Sequence, residues 1–283
     1  MKEDIVMSYK RILTIQDISC VGQCSLTVAL PIISACGVET AILPSAVLST
    51  HTAGFSGFTF RDLTDDMPSI REHWEKENIK FDAVYTGYLG SLKQIGFVKD
   101  IMDSCNKQGA LRIVDPAMAD NGKLYPLFDL EYAHAMAELC STADIILPNI
   151  TEACFMTDTE YKSEYDRAYI DELLQKLTAL GCKTVVLTGV GYREGMTGVV
   201  VYEKGEYKYY EHKRISKGCH GTGDVYASAF TGALVRGFDA FSAAKIAADY
   251  TVLCIENTQD DPDHWYGVKF ETALGKLTEM LKK

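Results

Sequence analysis

Residues 11–43 read RILTIQDISCVGQCSLTVALPIISACGVETAIL. The segment opens on the extended apolar run Ile12-Leu13-Thr14-Ile15, crosses an amphipathic stretch over 25–36, and returns to a second apolar run over 38–43. Two apolar strands separated by a helix make a βαβ unit, and such units build a mostly parallel sheet. The alternation continues down the chain. Further strands are predicted over 83–86, 111–114, 145–147 and 185–188, and helices over 62–77, 92–106, 129–140 and 167–180. The fold class is therefore α/β, with a central, mostly parallel sheet flanked by helices.

The alternation breaks once. Residues 198–202 and 207–212 flank Glu203-Lys204-Gly205-Glu206, which reads as a small antiparallel hairpin at a sheet edge. Beyond it the chain is predicted helical over 224–236, 240–257 and 269–282. No Pro/Gly/Ser-rich linker, low-complexity tract or internal repeat divides it, so residues 1–283 are expected to form one domain with a loosely ordered start over 1–10.

Composition narrows the function classes. With 28 Lys+Arg against 39 Asp+Glu the formal net charge is −11, and a field of that sign repels nucleic acid and anionic lipid. Apolar residues make up 47% and charged ones 24%, enough to bury a large core and to exclude disorder over most of the length. The nine cysteines, Cys20, Cys24, Cys36, Cys105, Cys140, Cys154, Cys182, Cys219 and Cys254, are odd in number and contain no C-x-x-C pair. That pattern suits reduced thiols rather than a disulfide framework or a zinc site. Met1 to Lys10 lacks the apolar core of a secretory signal, and no run approaches the roughly 18 apolar residues of a membrane span. The sequon Asn149-Ile150-Thr151 carries little weight without an export signal. A cytoplasmic protein is expected, with small-molecule partners, no nucleic acid and no membrane.

In open parallel sheets ligands bind beyond the carboxyl ends of the strands, which directs attention to Gln16-Asp17, 44–54, Gly87-Tyr88, Asp115-Pro116, Pro148-Asn149 and Thr188-Gly189. The sharpest signal lies later, in Gly218-Cys219-His220-Gly221-Thr222-Gly223-Asp224-Val225-Tyr226-Ala227. Small residues let backbone N–H groups approach an oxyanion, and the positive end of the following helix favours negative charge there. Asp224, in that first turn, either caps the helix or accepts a proton from a bound hydroxyl. Gly221-x-Gly223-x-x-Tyr226 misses the last position of a dinucleotide fingerprint and follows a hairpin rather than the first strand, which argues against hydride chemistry. Neither a Walker A sequence nor the protein-kinase motif set occurs.

Pro148-Asn149-Ile150-Thr151-Glu152 follows a buried strand. Its amide and carboxylate suit magnesium, which takes oxygen ligands and keeps several waters, but Asn149 with Glu152 three residues on equally reads as a capping box at a helix start. Asp115-Pro116 precedes Asp120-Asn121-Gly122-Lys123-Leu124-Tyr125, either a flap over a nucleotide or an ordinary surface turn. Ser49-Thr50-His51-Thr52-Ala53-Gly54, beside Phe55, offers hydroxyls and one imidazole to a small aromatic ligand, or is a polar loop with a solvated histidine. Cys219 next to His220 invites a nucleophile reading, against that of a loop cysteine lining a phosphate site.

Taken in order, Gln16-Asp17 with Gly22, the 49–52 stretch, Gly87-Tyr88-Leu89-Gly90-Ser91, Asp115-Pro116-Ala117-Met118, the 120–125 flap, Pro148-Asn149-x-x-Glu152 and Gly221-Thr222-Gly223-Asp224 resemble the pyridoxal (pyridoxine, pyridoxamine) kinases of the ribokinase-like superfamily. The resemblance spans residues 11–257. It implies a ribokinase-like sandwich, and an ATP- and Mg2+-dependent kinase acting on the 5′-hydroxyl of a B6 vitamer as a homodimer. It implies Asp224 as the general base and the amides of Gly221, Thr222 and Gly223 as the anion hole for the transferring phosphoryl group. By the same resemblance Asn149 and Glu152 organise Mg2+ and its waters, and Asp115 lies near the metal and the phosphates, each carboxylate acting through water. Thr188 and Thr222 meet the nucleotide, while Asp17, His51, Thr52 and Tyr88 surround the pyridine ring. A monovalent cation also fits the family.

Phosphoryl transfer rests on positioning and charge neutralisation, so no covalent intermediate is expected. Two positions depart from the family pattern. Asp17 stands where many relatives carry Ser, which favours a ligand with a cationic amine, and Ala119 occupies the flap where Gly would be unsurprising. The alternatives are a hydroxymethylpyrimidine kinase of the same superfamily, a non-catalytic nucleotide- or B6-binding protein and, weakest, a dehydrogenase.

Overall fold

β1 (Arg11–Ser19), α1 (Leu26–Ala35) and β2 (Glu39–Leu48) form the first βαβ unit of a computed structural model that describes residues 9–215 and 219–282. β1 pairs in parallel with β2 on one side and with β4 (Phe81–Thr86) on the other, and the parallel run continues through β5 (Asn106–Val114), β8 (Ile145–Ile146) and β9 (Thr184–Thr188). Both edges are antiparallel. β10 (Met196–Glu203) and β11 (Glu206–Lys213) close one side as the expected hairpin, and β3 (Phe60–Asp62) closes the other against β2. The nine strands lie in the order β11-β10-β9-β8-β5-β4-β1-β2-β3.

Side chains alternate across the sheet and feed two apolar layers. Leu13, Ile15, Val84, Val114, Val185 and Leu187 pack against α2 (Met67–Lys76), α3 (Leu92–Ser104), α4 (Leu130–Ser141), α5 (Ile150–Met156) and α6 (Arg167–Ala179). Ile12, Ala83, Tyr85, Ile113 and Val186 face the opposite layer of α1, α7 (Thr222–Val235), α8 (Ala240–Glu256) and α9 (Leu274–Met280). Each fully buried Val, Ile or Leu in these layers contributes about 1.5–3 kcal/mol of transfer free energy. Because both faces are covered, the strands are near-continuous apolar runs, and the carboxyl ends of the parallel strands are left as the exposed working edge.

Several boundaries differ from the sequence reading for local reasons. The helix expected over 62–77 begins only at Met67, because residues 60–62 pair with β2 and a 3-10 turn over Thr64–Asp66 intervenes, fixed by Asp62 accepting from the Thr64 N–H at 2.9 Å. The helix expected over 92–106 ends at Ser104, and Asn106 already belongs to β5. The last predicted helix is a 3-10 turn, Phe270–Ala273, followed by α9. The 120–125 flap contains a two-stranded hairpin, β6 (Ala119–Asp120) with β7 (Lys123–Leu124), turned by Asn121-Gly122. Of the loosely ordered start expected over 1–10, residues 1–8 lie outside the described residues, as does Gly218. No described helix is long and apolar enough to cross a membrane.

Candidate active site

α7 starts from a left-handed residue. Gly221 has φ +74, and a Cβ on it would stand 2.2 Å from the Gln23 carbonyl oxygen, so only glycine lets the loop before α7 meet the loop after β1. Asp224 follows in the first helical turn, and its Oδ2 accepts a hydrogen bond from the backbone N–H of Ser25 at 3.0 Å. Ser25 also donates its hydroxyl to Asp17 Oδ1 at 2.6 Å, while Ser19 donates to Asp17 Oδ2 at 2.9 Å. One serine thus joins two carboxylates from opposite ends of the chain. Burial raises Asp224 to about 6; the Ser25 N–H works against that shift and the Asp17 charge adds to it. The helix N-terminus favours the anion, so burial is the stronger effect here. Asp17 is itself raised by burial, against the lowering effect of the two serine hydroxyls.

Next to Asp17 stands His51, the centre of an aromatic cluster. His51 is buried, with Nδ1 accepting from the Ala53 N–H at 3.1 Å and Nε2 lying 2.7 Å from the Tyr266 carbonyl oxygen, a pair of bonds that assigns the ring proton to Nε2. Gly22 makes room for that ring, since a Cβ there would meet His51 Cδ2 at 2.1 Å. Phe55 and His220 lie 5.0 and 5.3 Å from the His51 ring centroid, and Trp265 stacks obliquely on Phe55 at 4.7 Å. Burial, and then His51, lower the His220 imidazole. Burial and the Asp17 charge push the Tyr88 hydroxyl up to about 12. The Cys24 thiol is driven up by burial and by the charges of Asp224 and Asp17. Asp17, Cys24, Tyr88 and Asp224 therefore share one electrostatic neighbourhood.

On the other side, after β8 and β5, stands a second acidic group. Asn149 and Glu152 form a full capping box on α5: the Asn149 side chain accepts from Glu152 N–H at 2.9 Å, and Glu152 Oε2 accepts from Asn149 N–H at 2.8 Å. Glu152 Oε1 accepts from Met118 N–H at 3.1 Å, and Asn149 Nδ2 donates to the Ala119 carbonyl at 2.8 Å, which ties the flap base to α5. Burial raises Glu152 to about 7 against these backbone bonds. Asp115 is held well above the carboxylate range by burial and by the charges of Glu152 and Asp224.

No cluster of three or more His, Cys, Asp or Glu able to hold a metal occurs among the described residues. The donor set nevertheless fits Mg2+: two buried carboxylates that repel each other, both oxygens of Glu152 already engaged, so an ion held here keeps waters and takes its remaining ligands from phosphates. Thr188 bridges to Asn149 at the end of β9, its N–H donating to the Pro148 carbonyl at 2.9 Å. Tyr165 pins the next turn, donating to Gly189 O at 3.2 Å and accepting from Gly191 N–H at 3.0 Å.

The residues singled out from sequence fall into two groups. Asp17 near the carboxyl end of β1, which runs to Ser19 rather than stopping at Ile15, gathers with His51 beyond β2, Tyr88 beyond β4 and Asp224 in α7, while Asp115 and the pair Asn149 and Glu152 lie beyond β5 and β8 and Thr188 ends β9. Asp115 and Asp224 feel each other's charge, which links the groups. Thr52 is exposed beside buried His51. Cys219 packs against the apolar layer of α7 and α8, whereas the ring of its neighbour His220 faces His51 and Trp265. Sequence reasoning did not assign roles to Ser19, Ser25, Trp265 or Tyr266, and weighed His220 only as the neighbour of Cys219. Ser19 ends β1 and Ser25 lies eight residues after Asp17, a spacing that could have drawn attention; Trp265 and Tyr266 arrive from a loop beyond α8 with no motif of their own.

A glycine-capped helix with a buried carboxylate in its first turn, at the carboxyl edge of a parallel sheet and facing a second acidic group, defines an α/β small-molecule kinase. Residues 32–267 match the family model described as phosphomethylpyrimidine kinase, and the chain belongs to that family, the one of the pyridoxal and hydroxymethylpyrimidine kinases. A candidate phosphomethylpyrimidine kinase of Bacteroides thetaiotaomicron is 36% identical, with a TM-score of 0.91 over 95% of this chain and 94% of its own. An orthorhombic form of that protein contains pyridoxal. Pyridoxal kinase from Lactobacillus plantarum is 31% identical, with a TM-score of 0.89 over 96% of this chain and 98% of its own. The hydroxymethylpyrimidine/phosphomethylpyrimidine kinase of Aquifex aeolicus is 27% identical over 65% of this chain and 70% of its own.

Proposed function

We propose that this chain transfers the terminal phosphoryl group of ATP to the 5′-hydroxyl of a B6 vitamer. The observation that carries the reading is Asp224, a buried carboxylate in the first turn of α7, behind left-handed Gly221, held by the Ser25 N–H and titrating at about 6. A base poised there is ionised at neutral pH and can still take a proton as the acceptor oxygen attacks. The acceptor O–H proton passes to Asp224, a new O–P bond forms, and the bond from that phosphorus to ADP breaks. The first N–H groups of α7, around Gly221, Thr222 and Gly223, have no partner within the helix and serve the phosphoryl oxygens.

Asp17, His51, Thr52 and Tyr88 hold the acceptor ring; Thr188 and Thr222 meet the nucleotide. Asp115, Asn149 and Glu152 would hold Mg2+ and its waters. When bound, the ion neutralises charge on the transferring phosphates. The pyridoxal in the Bacteroides relative supports a B6 vitamer as acceptor.

A coupled ADP-release assay over pyridoxal, pyridoxamine, pyridoxine and 4-amino-5-hydroxymethyl-2-methylpyrimidine tests the reading, run with EDTA, and with and without potassium. Vitamer-dependent, EDTA-sensitive ADP release is expected, and any potassium stimulation identifies a monovalent-cation site. Turnover of the pyrimidine alone moves the assignment to a hydroxymethylpyrimidine kinase, the second reading, which the family model and the Bacteroides relative favour. Ligand binding without ADP release makes the chain a binding protein.

A further inference from the structure

The geometry points to a second ligand site, beside the edge hairpin, that takes a planar aromatic anion: a ring carrying a carboxylate or a phosphate. A cavity of about 410 Å³ opens between the start of α6, the loop before β10 and the strand β11, lined by Tyr165, Asp166, Arg167, Tyr192, Tyr207 and Tyr209. Pockets for small molecules run from about 300 to 1,000 Å³, so the space suits a ligand of one or two rings. The four tyrosines pack against the apolar layer of α2 to α6, on the opposite face of the sheet from the layer that contains α7. The cavity is thus separate from the candidate active site, and the inference goes beyond the kinase reading without depending on it.

The rings are held in place by the protein itself. The Tyr192 and Tyr207 hydroxyls share a hydrogen bond of 2.6 Å, Tyr209 donates to the Val190 carbonyl oxygen at 3.3 Å, and Tyr165 is fixed by Gly189 and Gly191. With the hydroxyls engaged in this way, the tyrosines offer a ligand their ring faces and edges; Tyr192 and Tyr209 meet edge to face at 5.1 Å. Charge decides the rest. The Arg167 guanidinium lies 4.3 Å from the Tyr207 ring centroid and its Nε 3.6 Å from Asp171 one turn on, which leaves its two NH2 groups without a partner among the described residues. The charge of Arg214 reaches the Tyr165 hydroxyl. The neighbouring carboxylates are already engaged: Asp166 caps α6 by accepting from the Tyr169 N–H at 2.9 Å, Asp171 faces Arg167, and Glu211 pairs with Arg193. Tyrosine faces also attract cations, but Arg167 already covers Tyr207, and an incoming cation would meet two like charges. A guanidinium fork beside ring faces fits a flat ring that stacks and an anionic group that takes paired N–H bonds. A chain of net charge −11 attracts no anion by its overall field, so such recognition has to be local.

The test is calorimetric titration of the unaltered protein, Arg167→Gln and Tyr192→Leu with four probes: naphthalene-2-carboxylate, 2-naphthyl phosphate, the neutral naphthalene-2-carboxamide and inorganic phosphate. At least one of the two aromatic anions should bind the unaltered protein about tenfold or more tighter than the amide and than inorganic phosphate, as expected for hydrogen bonds to a charged group. Each substitution should weaken that binding by about tenfold or more, Arg167→Gln by removing the fork and Tyr192→Leu by removing a ring. The tighter of the two anions assigns the carboxylate or the phosphate, and equal affinity assigns the negative charge alone. An affinity that survives either substitution, an amide or inorganic phosphate that binds as tightly, or no binding of either aromatic anion overturns the inference. The Arg167 side chain is 65% exposed, so Arg167→Gln should fold, and it decides alone if Tyr192→Leu does not. Binding is read without turnover, so failure of the kinase reading leaves this result standing.

Discussion

The carboxylate of Asp224 and the backbone N–H of Ser25 meet at 3.0 Å across 199 residues of chain, fastening the start of α7 to the loop after β1. An asparagine oxygen can accept the same bond, so Asp224→Asn should keep the loop in place and remove only the proposed proton acceptor. Turnover is expected to fall about 10²–10⁴-fold, the range for loss of a general base, with an unchanged circular dichroism spectrum. A variant that retained more than about a tenth of the original turnover would take Asp224 out of that role.

The same residue sets two pH dependences with definite signs. A base must be ionised to take the proton, so if Asp224 serves as proposed, kcat/KM should rise with pH through about 6 and level off above it. For stability the sign is the opposite. The folded state holds the proton more tightly than the unfolded chain, whose carboxylate sits near 3.8, so stability declines as pH rises from there through about 6 and the full cost of the buried charge remains above. Asp224→Asn should therefore raise Tm at pH 7.5 and change it little at pH 4. Thermal melts at the two pH values check this, and a lower Tm for the variant at pH 7.5 counts against a costly buried charge.

What could be read from sequence follows a physical division. β1, β4, β5, β8 and β9 announce themselves because strands covered on both faces must be apolar throughout, as Ile12-Leu13-Thr14-Ile15 and Val185-Val186-Leu187 are. β3 does not, because its residues Phe60, Arg61 and Asp62 are exposed and extended only by pairing to β2. The capping box at Asn149 and Glu152 was legible from a spacing of three, since the interaction is local. The aromatic wall was not: Trp265 reaches Phe55, and Tyr266 reaches His51, across some two hundred residues, and no local pattern encodes such a meeting. The pairing of Asp17 with Asp224 through Ser25 was hidden for the same reason.

Two glycines two positions apart should behave differently. In Gly221→Ala the new methyl would stand 2.2 Å from the Gln23 carbonyl oxygen at a φ of +74, and a left-handed alanine itself costs roughly 1–2 kcal/mol. The loop on the other side cannot yield cheaply, since Gln23 and Ser25 already hold positive φ angles of 48 and 54. Lower Tm and at least tenfold lower turnover are expected together. Gly223 lies inside α7 with nothing within 4 Å of an added Cβ, so Gly223→Ala should gain about 0.5–1 kcal/mol of helix stability. Turnover lost in that stable variant would report on the amides proposed to bind the phosphoryl group rather than on folding.

Glu152 has a structural duty independent of any metal, and the two can be separated. Its oxygens accept from Asn149 N–H at 2.8 Å and Met118 N–H at 3.1 Å, and Glu152→Gln would turn an NH2 group toward one of those donors, leaving a buried N–H unsatisfied at about 1–3 kcal/mol. Tm should fall whether or not the residue serves magnesium. The magnesium concentration giving half-maximal turnover discriminates: a rise of tenfold or more means that Glu152 also organises the ion, while an unchanged value beside a lowered Tm leaves it only as the cap of α5. Asp115→Asn supplies the complementary case. Asp115 accepts a backbone bond from Ala117 at 3.2 Å and is burdened by burial and by the charges of Glu152 and Asp224, so neutralising it should relieve repulsion and raise Tm at neutral pH. If Asp115 lies by the metal as proposed, the same variant needs more magnesium while being more stable, a combination that a purely structural role for the residue would not produce.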